Sequence, residues 1–197
     1  AGAALTDSSA DADVVLGIKE PKLEHVGRGQ VLVCFSHTIK GQDYNMPLLQ
    51  RFLDQGASLV DYERITDAEG RRLIAFGRFA GIAGAIDGVW SLRHRLDALG
   101  IRHPLGAAKM THEYGTTEVA WKALEAIGAT IRDDGFEPEM GPVVFGIIGC
   151  GNVGQGAGEV LDHLGAIQVT PAELPDLDAD PHKVYRVDLV EQDLYQR

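Results

Sequence analysis

One stretch constrains the fold of this chain more than any other: VVFGIIGCGNVGQGA, residues 143–157. Its apolar first half has no polar alternation, which predicts a strand buried on both faces. After the glycines, apolar residues recur at helical spacing. The pattern therefore predicts a strand, a glycine turn and a helix in succession, as in an α/β protein.

The glycines of this stretch follow the G-x-G-x-x-G spacing of a dinucleotide site. The first glycine allows a tight turn, the second lets the backbone approach a pyrophosphate, and the third lets helix and strand pack closely. The free N–H groups at the helix start favour phosphate. We expect a dinucleotide to be held by Gly149, Gly151, Asn152, Val153 and Gly154. The alternative is a glycine-rich turn of any α/β protein, without a cofactor.

Composition limits the class of partner. The chain has 197 residues, 45% of them hydrophobic, so it can bury one good core or two small ones. Its net charge of −11 repels phosphate, which disfavours nucleic acid and anionic membranes and favours a small metabolite. The two cysteines, Cys34 and Cys150, lack metal-site or disulfide-scaffold spacing. We expect no metal, no membrane span and a reducing, cytoplasmic location.

Charged side chains lie at or beside the ends of predicted strands. The strands are predicted at residues 13–18, 31–35, 58–62 and 73–76. Ligands of open parallel sheets bind at the carboxyl edge. The charged residues in question are Lys19, Glu20, His37, Lys40, Glu63 and Arg72.

Each of these residues alone is most often a solvated charge or a structural histidine. Together they suit acid–base chemistry, because histidine and a lysine crowded by cations exchange protons near neutral pH. An arginine fork also suits a carboxylate. The set therefore indicates an amino-acid or keto-acid site that works with a nicotinamide.

A long helix is predicted from residue 78 to residue 99, with Gly81, Gly84 and Gly88 along one side. Each glycine costs about 1 kcal/mol relative to alanine. We expect close packing with another segment, domain or subunit there, which allows a homo-oligomer; a weak or kinked helix is the alternative. A further helix is predicted from Thr117 to a terminating Gly128.

Several segments resemble one enzyme family. They are LGIKEP (16–21), FSHTIKGQ (35–42), DYE (61–63), GRR (70–72) and AFGRFAG (75–81). They are similar to the N-terminal domain of the saccharopine dehydrogenase and lysine-ketoglutarate reductase family, which is related to alanine dehydrogenase. YNMPLLQ (44–50) and GCGNVGQGA (149–157) resemble the reductase branch. The resemblance runs in order from about residue 12 to residue 190.

The resemblance implies an α/β chain with two Rossmann-like parallel-sheet parts. Residues 1–134 would be the N-terminal substrate domain, and residues 135–197 would begin an NAD(P)-binding domain. That second part is too short for a complete dinucleotide fold. Family members also begin earlier and continue further, so we expect a fragment, or subunits that complete one another.

The resemblance further implies an activity and roles for residues. Members use a nicotinamide cofactor to join lysine and 2-oxoglutarate into saccharopine, or to run the reverse cleavage. Lys19 and His37 resemble the acid–base pair, and Arg72 a carboxylate-binding arginine. The surrounding charge network would be formed by Glu20, Lys40 and Glu63.

The cofactor and the exact reaction have alternatives. The reductase branch implies NADPH, whereas Glu173, after the next strand, would permit NADH by holding a ribose 2′-hydroxyl. An alanine-dehydrogenase-like enzyme with a smaller substrate is the second hypothesis. A non-catalytic amino-acid-binding or regulatory fragment of the same fold is the third.

Overall fold

A computed structural model describes residues 2–195 of the chain. The strands are β1 (Val14–Leu16), β2 (Val31–Cys34), β3 (Ser58–Asp61), β4 (Val143–Ile148), β5 (Ile167–Val169) and β6 (Val184–Leu189). The helices are α1 (Met46–Gln55), α2 (Gly77–Leu99), α3 (Thr117–Asp134), α4 (Asn152–Leu164) and α5 (Glu191–Leu194). The chain forms two compact units, divided between Ala75 and Phe76.

The first unit is a three-stranded parallel sheet in the order β1-β2-β3. Helix α1 packs on it through Leu48 and Phe52, which join Val26 and Leu32 in a small core. The helix ends at Gly56, where a φ of +57° suits a residue without a side chain.

The second unit is also a three-stranded parallel sheet, but its strand order is β4-β6-β5. Strand β5, which follows β4 and α4 along the chain, is separated from β4 by β6. The β4–β6 ladder pairs Ile148 with Leu189, and the Gly149 amide then donates to the Leu189 carbonyl at 2.9 Å. The carboxyl end of β6 therefore lies directly beside the glycine turn.

Helices α2, α3 and α4 build the core of the second unit, with Val89, Leu124 and Val160 among its most buried residues. The prediction that the glycine-motif strand is buried on both faces is wrong. Along β4, Val144 and Ile148 are 37% and 70% exposed. Side chains alternate between the faces of a strand, and the core of this unit covers one of those faces.

Helices α2 and α4 approach each other closely at a glycine. A Cβ atom added to Gly81 would lie 1.9 Å from the Val153 carbonyl oxygen. The predicted tight contact is confirmed there, and α4 is the partner. At Gly84 and Gly88, no described atom beyond the neighbouring backbone of α2 lies within 4 Å of an added Cβ, so these two glycines make no such contact within residues 2–195.

Two predictions about elements are wrong. Residues 73–76 form no strand, and the nearby pairing is one antiparallel bridge between Thr66 and Arg72. Apolar residues without a neighbouring strand gain no ladder hydrogen bonds. Gly128 does not end its helix, because α3 continues to Asp134. Its added Cβ would lie 2.3 Å from the Leu164 carbonyl oxygen, so it allows α3 to approach α4.

The predicted α/β fold with two parallel sheets is confirmed. The compact units divide earlier than the predicted domains 1–134 and 135–197, because α2 and α3 pack in the core that contains α4. That division into functional domains stays a prediction. Within residues 2–195, no helix combines the length and apolar character that a bilayer crossing requires.

Candidate functional site

The carboxyl ends of β1 and β2 remain side by side beyond the strands themselves. The Phe35 amide donates to the Ile18 carbonyl at 3.1 Å, one step past the ladder. Lys19 and Glu20 follow Ile18, and His37 follows Phe35 by two residues. The sheet therefore brings the predicted Glu20 and His37 together, with Lys19 beside them in the chain.

His37 has an unusual backbone conformation. Its φ of +55° makes it the single non-glycine residue with a positive φ within residues 2–195. Its Nδ1 atom lies 3.2 Å from Oε2 of Glu20, and its ring stacks near Phe35 with an interplanar angle of 18°. Strained backbone of this kind persists where the surroundings enforce it, and it clusters at functional sites.

A buried polar network lies beneath His37. The Ser36 hydroxyl donates to Oδ2 of Asp61 and lies 2.8 Å from the Thr38 hydroxyl. The side-chain amide of Asn45 donates to the backbone carbonyl of Ser36 at 2.8 Å. The other Asp61 oxygen, Oδ1, accepts from the Glu63 amide at 2.8 Å. These bonds fix the segment after β2 against the end of β3.

Glu63 is a buried carboxylate with spare hydrogen-bonding capacity. Its side chain is 3% exposed, and Oε1 pairs with Nη2 of Arg72 at 2.6 Å. Oε2 has no hydrogen-bond partner among the described residues. Arg72 is half exposed, so its guanidinium can still meet a carboxylate from solution. Oε2 of Glu63 is thus an unsatisfied acceptor inside the protein, and the Arg72 guanidinium is accessible to an acceptor from solution.

Lys19 and Lys40 are exposed. Within residues 2–195, neither ammonium group forms an ion pair or hydrogen bond with another side chain. Of the six predicted rim residues, the structure therefore joins four as two pairs, Glu20 with His37 and Glu63 with Arg72.

Cys34 is buried near this network and has a perturbed thiol. Burial raises the pKa of Cys34 to about 11, and the nearby carboxylates of Asp61 and Glu20 act in the same direction. The thiol is therefore protonated at neutral pH and is a poor nucleophile. Within the described part of the chain, no group of three or more His, Cys, Asp or Glu residues could hold a metal ion.

The glycine turn of the second unit has the features of a phosphate-binding turn. Gly149 has a φ of +99°, which favours glycine. A Cβ added to Gly154 would lie 2.0 Å from the Gly149 carbonyl oxygen, so that glycine lets α4 pack against the turn. Around Gly151, no other described atom comes within 4 Å of an added Cβ. The turn is thus open to the pyrophosphate of a dinucleotide, with Asn152 and Val153 exposed at the start of α4.

Glu173 does not follow the strand next to the glycine strand, which is the position expected of an acid that holds a ribose 2′-hydroxyl. It follows β5, which β6 separates from the glycine strand. Its Oε2 accepts from the amide and the hydroxyl of Thr170, each at 2.7 Å, and these bonds lower the pKa of Glu173. The carboxylate caps its own turn and is not beside Gly149 to Gly154.

Sequence reasoning missed the buried members of the network. Asp61 ends β3 two residues before Glu63, so an acid at that strand end was a usable signal. Asn45 precedes α1, a position typical of a helix cap, but its side chain forms no cap hydrogen bond and instead donates to the Ser36 carbonyl. Nothing in the local pattern distinguishes Ser36 from an exposed serine.

Comparisons with known proteins find one matching domain family and several similar enzymes. Residues 1–83 match the family described as alanine dehydrogenase/PNT, N-terminal domain. The chain is 37% identical over 187 residues to the mitochondrial alpha-aminoadipic semialdehyde synthase of Rattus norvegicus, covering 94% of this chain and 20% of that protein. It is 37% identical over 176 residues to the Arabidopsis thaliana synthase, covering 89% of this chain and 16% of that protein.

A saccharopine dehydrogenase [NAD(+), L-lysine-forming] of Emericella nidulans is 30% identical over 169 residues, which are 83% of this chain and 42% of that protein. An L-alanine dehydrogenase structure aligns with a TM-score of 0.44 and 16% identity, over 95% of this chain and 46% of that chain. The chain spans about a fifth of the length of the alpha-aminoadipic semialdehyde synthases that it matches.

Proposed function

We propose that this chain, whose residues 1–83 match the alanine dehydrogenase/PNT N-terminal domain, acts in an NAD(P)-dependent oxidoreductase of lysine metabolism. The chain is similar to alpha-aminoadipic semialdehyde synthases and to saccharopine dehydrogenases. The proposed reaction joins lysine and 2-oxoglutarate into saccharopine, or cleaves saccharopine in reverse. Because the chain covers a fifth of the length of its mammalian relatives, the proposal concerns the full-length protein.

The observation that carries this proposal is the strained, carboxylate-paired His37. Its positive φ and its contact with Glu20 hold the imidazole at the carboxyl edge of the sheet, where parallel sheets bind ligands. A solvated surface histidine needs neither feature. Holding a proton-transfer group in a costly conformation is typical of a catalytic site.

The proposed chemistry needs proton transfers that these side chains can perform. The lysine ε-amine adds to the 2-oxoglutarate carbonyl, and loss of water gives an imine that is then reduced at carbon. His37 and Lys19 would take the proton from the amine and return one to the leaving hydroxyl. Glu20 would orient His37, as carboxylates orient histidines elsewhere.

The substrate carboxylates and ammonium groups have partners of opposite charge. Arg72 would bind a carboxylate, and the Glu63 carboxylate, which holds the Arg72 guanidinium through Oε1, would add negative charge beside it for an ammonium group. Lys40 would add positive charge for the dicarboxylate. Lysine and saccharopine, which carry both kinds of group, and 2-oxoglutarate, which carries two carboxylates, are therefore the proposed ligands.

The open turn at Gly149, Gly151 and Gly154 supports a nicotinamide dinucleotide, which supplies the hydride when bound. Asn152 and Val153 would offer backbone N–H groups to its pyrophosphate. The family resemblance favours NADPH, and NADH is the alternative.

A steady-state assay of the full-length protein tests the proposal. With lysine and 2-oxoglutarate, the absorbance of the reduced nicotinamide should fall. Lys19→Met and His37→Gln should each lower kcat by about a hundredfold or more. Lys22→Met and His25→Gln, which change exposed residues of the same unit, are matched controls and should keep the rate. Unchanged turnover in the first two variants would remove both residues from the mechanism.

Two other functions are distinguished by a second turnover assay and by a calorimetric titration. Turnover with pyruvate and ammonia, and none with lysine and 2-oxoglutarate, would favour an alanine-dehydrogenase-like enzyme. Calorimetric binding of lysine or saccharopine without heat from either cofactor would favour a non-catalytic fragment.

The proposal also includes a setting for the protein. The thiols of Cys34 and Cys150 are free, as in a reducing compartment, and we propose the cytoplasm, although the rat relative is named as mitochondrial.

A homo-oligomer that packs on Gly84 and Gly88 is part of the same proposal, and small molecules rather than nucleic acid or membranes are its proposed ligands. Fractionation and light scattering of the native protein test these points.

A further inference from the structure

The two peptide groups that flank His37 are each held by a buried hydrogen bond. The backbone carbonyl of Ser36 accepts from the side-chain amide of Asn45 at 2.8 Å. The backbone amide of Thr38 donates to the Ser36 hydroxyl at 3.2 Å, so this second bond spans His37. Because the orientations of its two flanking peptides set the φ and ψ of a residue, these bonds fix His37 at a φ of +55° and a ψ of +6°.

The Ser36 hydroxyl is itself oriented by the carboxylate of Asp61. It donates its proton to Oδ2 of Asp61, so its lone pairs face the amide and the hydroxyl of Thr38, at 3.2 and 2.8 Å. Asn45 and Ser36 are 4% and 0% exposed, so water does not compete for these bonds. The conformation of His37 is therefore enforced from the interior of the first unit.

That conformation decides where the imidazole lies. A residue with a Cβ atom keeps a positive φ only where its surroundings enforce it, because the Cβ atom crowds the backbone. Without the two tethers, His37 would relax to a negative φ and its Cα–Cβ bond would change direction. Its Nδ1 atom, which lies 3.2 Å from Oε2 of Glu20, would then lose that contact.

We propose that Asn45 and Ser36 are positioning residues for the proposed reaction, because they hold His37 in the left-handed conformation that places its imidazole against Glu20. This inference rests on the proposed function, in which His37 transfers protons. Both side chains are buried, so they act through His37 and not on the substrates. A catalytic group that is misplaced by about 1 Å can lower a rate by about a hundredfold.

Steady-state kinetics of the full-length protein with lysine and 2-oxoglutarate test this inference. Asn45→Ala should lower kcat by at least about tenfold and change each KM by less than about threefold, because the groups that bind the substrates keep their places. In a His37→Gln background, the same substitution should lower kcat by less than about twofold, because the imidazole that it positions is gone. A merely structural role would lower kcat in both backgrounds.

Gln30→Ala is the matched control. Gln30 is 5% exposed, and its side-chain amide donates to the backbone carbonyls of Ser9 and Ala12 at 2.9 and 2.8 Å. The substitution therefore removes the same kind of buried bond from the same unit, but at the opposite end of β2. Its kcat should stay within about twofold of the wild-type value, because the geometry around His37 is unchanged.

Ser36→Ala removes the other tether and should repeat the pattern of Asn45→Ala, and circular dichroism identifies which variants are folded. Wild-type kcat in the folded variants would overturn the inference and leave the proposed function standing. Equal losses of kcat with and without the His37 imidazole would do the same. If the wild-type protein does not turn over lysine and 2-oxoglutarate, the proposed function is overturned and the inference fails with it.

Discussion

The Ser36 hydroxyl donates its hydrogen bond to the Asp61 carboxylate, and this bond ties the segment that carries His37 to the end of β3. Both residues are buried, so neither group can exchange its partner for water. An interrupted bond would leave Oδ2 of Asp61 without that donor. The stability of the first unit and the position of His37 therefore depend on the same contact.

Ser36→Ala should lower the free energy of unfolding by about 1–3 kcal/mol, because it leaves a buried carboxylate oxygen unsatisfied. Urea unfolding followed by circular dichroism measures the change. Ser58→Ala is the control, since Ser58 is exposed at the start of β3 and its replacement should cost less than about 0.5 kcal/mol. Equal effects of the two substitutions would mean that the bond contributes nothing.

The positive φ of His37 predicts an unusual order of stability among variants. His37→Gly should be more stable than His37→Ala by about 1 kcal/mol, because glycine adopts the left-handed conformation without steric cost. The same pair at His25, which lies in a short 3₁₀ helix without a positive φ, should show the reverse order. Thermal unfolding of the four variants measures both comparisons. An alanine variant as stable as the glycine variant at position 37 would contradict the strain.

The close approach of α2 to α4 predicts opposite effects of alanine at two glycines of one helix. Gly81→Ala should destabilise the protein by about 2 kcal/mol or more, because the new methyl group would clash with the Val153 carbonyl. In the monomer, Gly84→Ala has open space around its new methyl group and should stabilise the helix by up to about 1 kcal/mol. Chemical unfolding distinguishes the two. A neutral Gly81→Ala would show that the helices can separate without cost.

The two thiols should differ in reactivity. Iodoacetamide at pH 8 should alkylate the exposed Cys150 and leave Cys34 intact until the protein is unfolded, because burial raises the pKa of Cys34 to about 11. Peptide mass spectrometry after quenching identifies the modified cysteine. Modification of both thiols at equal rates would mean that Cys34 is accessible in the native state.

The same pKa gives a pH dependence of stability. The folded state holds the Cys34 proton more tightly than the unfolded state, so the contribution is fully present below the unfolded thiol value of about 8.5. It is lost as the pH rises toward about 11. In a Cys150→Ser background, Cys34→Ala should flatten this decline in unfolding experiments between those two pH values. An unchanged slope would argue against the raised pKa.

Much of the architecture could be predicted from local pattern. The unbroken apolar run before Gly149 predicted β4 and the helical spacing after it predicted α4, because each pattern lies within one element. The family resemblance, stated from short segments around Lys19 and His37, is confirmed by the relatives. The sequence placed Glu20 and His37 at one edge of the sheet, and their contact at 3.2 Å is a feature that the structure adds.

The features that escaped prediction depend on distant contacts. The insertion of β6 between β4 and β5 is a choice of partners across many residues, and nothing in the Val184–Leu189 segment reveals it. Gly128 was interpreted as a helix terminator because its contact with Leu164 lies on another helix. Ser36 and Asp61 form a network that only the burial of both residues makes important.

The strand order β4-β6-β5 also has a consequence for how the protein is made. The central strand of the sheet is the last of the three to be synthesised, so neither β4 nor β5 has its partner strand until residues 184–189 leave the ribosome. Until then the nascent chain exposes two unpaired strands, which are sites for chaperones and for aggregation. Translation of the codons for residues 184–189 thus decides when this sheet can form.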